Sequence, residues 1–133
     1  MTTQARVLVV DDDPVVAKSI DRVLTGKGYA VITASDGPEA LDKLAHGKYD
    51  AVFTDIRMPG MDGFELIQRV RTLTNEKKDI PAAALTAYAR SEDRARALRT
   101  GFEMHLAKPI DPSELIAAVV SLARRRSGAT RES

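Results

Sequence analysis

The chain has no cysteine. That excludes disulfides, cysteine-ligated zinc and thiol catalysis, and it leaves any bound metal to oxygen ligands. No apolar run reaches the roughly 18 residues that a membrane span needs. Met1 to Arg6 lack the basic-then-apolar layout of a signal peptide, so a cytoplasmic protein without membrane contact is expected. Charge of one sign is also lacking: a formal net charge of +1 provides no general field for nucleic acid, and direct nucleic-acid binding is not expected. The cluster Arg124, Arg125 and Arg126 reads as a solvated helix end favoured by the helix dipole. There is no low-complexity tract, internal repeat or interdomain linker. What is present, 133 residues of which 44% are hydrophobic and 29% charged, suits one globular domain closed around a single core. We assign it to residues 5–125, with residues 1–4 and 127–133 as short flexible termini.

Five short apolar runs recur along the chain, each followed by a segment with helical spacing. They are Arg6 to Val10, Ala30 to Ala34, Asp50 to Thr54, Ala82 to Leu85 and Glu103 to Leu106. Such alternation predicts an α/β fold of βα units around a parallel sheet. Val16, Ile20, Val23 and Leu24 form one helical stripe, and Leu115, Ala118, Val119 and Leu122 another, so both helices should cover the sheet. Asp13-Pro14 supplies a cap and an N1 proline for the first helix, and Asp111-Pro112-Ser113-Glu114 a cap with glutamate at N3 for the last. Gly26, Gly47 and Gly101 stand where helices should stop. Gly37-Pro38 opens the second helix, and Met58 to Gly63 reads as a loop.

The chemistry collects at the carboxyl ends of the predicted strands. The first ends in Asp11-Asp12-Asp13, the third in Thr54-Asp55, the fourth in Leu85-Thr86-Ala87, and the fifth is followed by Lys108-Pro109. In an open parallel sheet, that edge is where ligands bind. If the first and third strands are neighbours, Asp11, Asp12 and Asp55 converge, and their like charges repel unless a cation lies among them. The cation should be hard. Mg²⁺ fits best, because it takes one or two carboxylates plus phosphate oxygens and keeps several waters, and Mn²⁺ could substitute. A small hydroxyl at Thr86 and a compact ammonium at Lys108 suit the oxygens of a phosphoryl group. Singly, each feature has an ordinary explanation: Asp13 is a cap, Thr86 a β-branched strand residue, Lys108 a solvated loop cation. Four strand ends carrying acid, acid, hydroxyl and ammonium in that order do not reduce to packing.

On these residues the sequence resembles the receiver domains of two-component response regulators. The matching stretches are Val7 to Pro14, Asp55 to Gly63, Leu85 to Ala87 and Lys108 to Ile110, and the resemblance spans about residues 5 to 125. It implies a flavodoxin-like (βα)5 sandwich with strand order 2-1-3-4-5 and helices on both faces. It also implies a phosphoacceptor in a phosphorelay rather than an enzyme. Asp55 would take a phosphoryl group from a phosphohistidine of a sensor histidine kinase or a histidine phosphotransfer protein. Asp12 would bind Mg²⁺ directly, Asp11 partly through water, with Asp55 and the backbone carbonyl of Arg57 completing the set. Lys108 would pair with the phosphoryl oxygens, Thr86 would hydrogen-bond one of them, and the bond before Pro109 would be cis. The family's switch residue, commonly Tyr or Phe three residues before the lysine, is His105 here, which adds a titratable ring to the switch. Arg57 and Tyr88 would stand on the pocket rim, and their bulk predicts slow hydrolysis, with an acyl phosphate that lasts hours rather than seconds in purified protein.

The resemblance further implies that the face formed by the fourth helix, fifth strand and fifth helix meets a downstream protein. The fourth helix carries Arg90, Arg94, Arg96 and Arg99, with Glu92 placed to pair with Arg96 at i,i+4. Ile80 to Ala89 and Met104 to Pro109 are similar to receivers of hybrid sensor kinases, whereas Met1 close to the first strand and the short polar tail favour a stand-alone regulator. Two other readings fit part of the pattern. A haloacid dehalogenase-type phosphatase also uses an aspartyl phosphate, Mg²⁺, a hydroxyl and a lysine, but its nucleophile sits on the first strand in an Asp-x-Asp arrangement, and here Asp13 precedes proline. A phosphorylation-independent pseudo-receiver generally loses pocket residues, and this sequence keeps all five.

Overall fold

In the computed structural model, which describes residues 5–87 and 91–132, five parallel strands form one sheet in the order β2-β1-β3-β4-β5. The strands are β1 (Arg6–Val10), β2 (Ala30–Ala34), β3 (Ala51–Asp55), β4 (Ala82–Thr86) and β5 (Met104–Ala107). Five helices alternate with them: α1 (Pro14–Thr25), α2 (Gly37–His46), α3 (Gly63–Arg71), α4 (Ser91–Thr100) and α5 (Pro112–Glu132). A short 3-10 turn, Glu76–Asp79, precedes β4. Among the described residues, no helix is long and apolar enough to cross a membrane.

The central strands are apolar on both faces because helices cover both. Alternation along β1 divides the core: Val7 and Val9 pack with Ile20 and Leu24 of α1 and with Leu115, Val119 and Leu122 of α5. Leu8 and Val10 pack instead with Leu44 of α2, Phe64 and Ile67 of α3 and Ala97 of α4. The stripes read in the sequence therefore cover one face, as expected. Helix starts are fixed by side chains that accept otherwise unpaired backbone N–H groups. Asp13 Oδ1 accepts from Val15 N at 2.9 Å, Asp62 Oδ1 from Glu65 N at 2.8 Å, and Asp111 Oδ1 from Ser113 N at 3.0 Å. The second helix is capped by Asp36, whose Oδ1 accepts from Glu39 N at 2.8 Å, so Gly37 and Pro38 lie inside its first turn.

The limits of three strands differ from the sequence reading, by one residue at both ends of β3 and β5 and at the end of β4. β3 starts at Ala51, because Asp50 uses its carboxylate to accept the Arg6 N–H at 2.8 Å. β5 starts at Met104, because the Glu103 carboxylate turns back to accept the Ala82 N–H at 2.7 Å. β4 runs one residue further, to Thr86. The last helix is also longer: α5 continues to Glu132, past Ser127, and no proline interrupts it.

Candidate functional site

Parallel register brings the strand ends together. Val10 of β1 lies beside Thr54 of β3, and Asp55 beside Leu85 of β4. The backbone continues this knitting past the sheet, with Ile56 N donating to Leu85 O at 3.1 Å and Lys108 N to Thr86 O at 2.7 Å. Asp11, Asp12, Asp55, Thr86 and Lys108 thus share one edge, as the sequence reading expects.

Oxygen atoms of Asp11, Asp12 and Asp55 all lie within 4.8 Å of one another. Asp11 and Asp55 are buried, at 1% and 6% exposure, whereas Asp12 is exposed. Asp11 Oδ1 accepts the Asp13 N–H at 2.9 Å. Its other oxygen, Oδ2, is buried and 2.9 Å from Lys108 Nζ, close enough for an ion pair yet not aligned as a hydrogen bond. Lys108 Nζ also lies 3.3 Å from Asp55 Oδ1, so one ammonium serves two buried carboxylates.

The charges respond to this crowding. Burial, and then the nearby Asp11 charge, push the Asp55 carboxyl up to about 6, against the opposing pull of Lys108. Burial alone would lower Lys108, but Asp11 and Asp55 outweigh it and hold the ammonium above its ordinary range. An underprovided carboxylate oxygen, clustered acids and an all-oxygen donor set fit a small hard cation.

Of the remaining sequence-predicted residues, Arg57 is exposed in the loop after β3. His105 is half-buried on β5, where burial and the Arg94 charge hold its imidazole below the ordinary value. The Lys108–Pro109 bond is cis. Tyr88 and Arg90 lie outside the described residues. Arg96 does not pair with Glu92 among the described residues; its guanidinium stacks over the Phe64 ring at 4.0 Å. The sequence reading also missed Arg71, at the end of α3, whose carbonyl partners are 7, 9 and 30 residues away.

A family model for the response regulator receiver domain matches residues 7–120. An uncharacterised 14.6 kDa protein of Leptolyngbya boryana is 48% identical over 116 residues, covering 87% of this chain and 88% of that protein. The transcriptional regulatory protein PrrA of Mycobacterium tuberculosis is 40% identical over 131 residues; the match takes in 98% of this chain but 55% of that protein's length. The chain therefore spans about half of the mycobacterial regulators it matches. Among solved structures, a putative response regulator from Chloroflexus aurantiacus superposes with a TM-score of 0.87 at 35% identity, covering 92% of this chain and 99% of its own. The chemotaxis response regulator CheY4 of Vibrio cholerae gives 0.84 at 33% identity, covering 90% and 99%.

Proposed function

The chain belongs to the response regulator receiver family, and from that membership we propose that it is a phosphoacceptor switch whose acceptor is Asp55. The observation that carries this reading is the convergence of Asp11, Asp12 and Asp55 beside Lys108 at the carboxyl edge of the sheet. The phosphodonor is a phosphohistidine on a sensor histidine kinase or a histidine phosphotransfer protein. A cytoplasmic location belongs to the same proposal.

Receivers bind a divalent metal at such an acidic cluster, and Asp11, Asp12, Asp55 and the Arg57 backbone carbonyl are the groups proposed to hold Mg²⁺, with Mn²⁺ as a substitute. When bound, the ion offsets the charge on the carboxylates and on the phosphoryl oxygens. An oxygen of Asp55 attacks phosphorus, forming the acyl phosphate as the bond from phosphorus to the donor's imidazole nitrogen breaks. Lys108, already held between two carboxylates, is placed to follow the negative charge onto the phosphoryl oxygens. Thr86 supplies a hydroxyl to one of those oxygens, and His105 takes the place of the family's rotating aromatic residue. Arg57 restricts water at the rim.

This division of labour separates two effects of one substitution. Lys108→Ala is expected to slow phosphoryl uptake by about 100- to 1,000-fold, because a charge-stabilising contact is lost. The same change should tighten Mg²⁺ binding by about tenfold, because the ammonium and the ion compete for Asp11 and Asp55. A calorimetric Mg²⁺ titration and an initial rate with acetyl phosphate measure the two. Weaker Mg²⁺ binding in the variant would contradict the competition.

A further inference from the structure

The start of α3 rests directly on the acceptor strand. Gly63 N donates to Ile56 O at 2.8 Å, and a Cβ on Gly63 would come within 2.9 Å of Ile56 Cα and closer still to the Asp55 carbonyl oxygen. Any movement of the 56–62 loop is therefore transmitted to the first turn of α3. Phe64 is the next residue, buried at 5% exposure in one cluster with Ile56, Met58 and Ala97 of α4. Over its ring lies the Arg96 guanidinium. Ile56, Arg57, Met58, Pro59, Phe64 and Arg96 line a single cleft of about 340 Å³, so Arg96 reaches the same loop that carries the Arg57 carbonyl.

α4 has few other holds on this side. Ala97 is its one fully buried apolar side chain among the described residues, and Leu98 is 56% exposed. The acids beside Arg96 are already engaged, Asp62 as the cap of α3 and Glu65 with Arg69 at 2.9 Å. A guanidinium over an aromatic face is a directional contact that a methyl group cannot replace.

We infer that Arg96 is a positioning residue: through Phe64 it ties the loop bearing the Arg57 carbonyl to α4, so ion occupancy at the acidic cluster is felt on the outer face of α4. This rests on the metal reading proposed above. By linkage, a partner that holds α4 in its ion-bound position must in turn tighten ion binding.

Amide NMR of the full chain during Mg²⁺ titration tests it with the metal alone. In wild type, amides of residues 56–58 and of residues 97–99 should shift with one midpoint. In Arg96→Ala the loop amides should still shift, while the α4 shifts fall at least about threefold, the scale expected when a contact of this class is removed. Arg94→Ala, on the same helix but away from Phe64, should retain both responses. An undiminished α4 response in Arg96→Ala would overturn the inference. Loop amides that ignore Mg²⁺ in wild type would overturn the metal reading instead, and the inference with it.

Discussion

Asp55→Asn should abolish phosphoryl uptake and also make the metal-free protein more stable at neutral pH than wild type. The loss follows because an amide offers no carboxylate nucleophile. The gain follows from electrostatics. In wild type, burial and Asp11 raise the Asp55 carboxyl to about 6, so the folded state binds this proton more tightly than the unfolded chain does. A raised carboxyl contributes stability that is complete below its unfolded value and is lost as pH rises through about 6. At pH 7.5 without metal, wild type therefore carries a buried charge that Lys108 offsets only in part and that the asparagine variant lacks. After discounting for solvent on the open side of the pocket, we expect the variant to be about 1–2 kcal/mol more stable there. Urea unfolding in EDTA at pH 7.5 and 4.5 measures this. The gap should narrow at the lower pH, where wild-type Asp55 is protonated, and a gap that widens would contradict the assignment of the shift.

A larger stability effect is expected at the opposite edge of the sheet. Arg71 Nη1 donates to Lys78 O at 2.8 Å and Ile80 O at 2.6 Å, while Nε and Nη2 donate to Gly101 O at 3.1 and 2.7 Å. Nη2 also meets Glu103 Oε1 at 3.1 Å, and that oxygen accepts the Ala82 N–H. One side chain thus closes the approach to β4 and the turn between α4 and β5. Burial pulls its guanidinium below the ordinary value despite Glu103 and Asp79, so the contacts are made in a poorly solvated place. Arg71→Ala would leave the part-buried Ile80 and Gly101 carbonyls without this donor and Glu103 without its counter-ion, at a cost of about 2–4 kcal/mol. Lysine should not rescue it, because one ammonium cannot reproduce the planar fork. Arg69→Ala, which removes only the exposed pair with Glu65, should cost about 0.5 kcal/mol or less. Chemical denaturation of the three variants gives the comparison, and equal losses for Arg69→Ala and Arg71→Ala would refute the distinction.

These two edges also mark how far the sequence could be read. The carboxyl edge was legible because its residues follow strand ends directly: once an apolar run is recognised, Asp11, Asp55 and Thr86 have only one place to be. Strand order came from the resemblance to receivers, since periodicity alone leaves the neighbours of β1 open. The starts of β3 and β5 were placed one residue early, at Asp50 and Glu103, whose backbone N–H groups still reach Arg6 O and Ala82 O but whose carboxylates, not carbonyls, accept the Arg6 and Ala82 N–H groups. Arg71 could not be distinguished from Arg69, two residues earlier, because both are basic residues in the last turn of α3. Only the fold brings Lys78, Ile80, Gly101 and Glu103 around one of them. Arg96 was misassigned for a related reason. Local i,i+4 spacing suggested Glu92, whereas packing α4 against α3 supplied the Phe64 ring.

The most direct test of the account is to locate the phosphoryl group. The full chain is incubated with acetyl phosphate and Mg²⁺, and intact mass followed by peptide mapping identifies the modified residue. We predict one phosphoryl adduct on Asp55, dependent on the metal and removed by EDTA treatment before the donor is added. An adduct on another residue, or none with either acetyl phosphate or a phosphorylated histidine kinase, would contradict the phosphoacceptor reading.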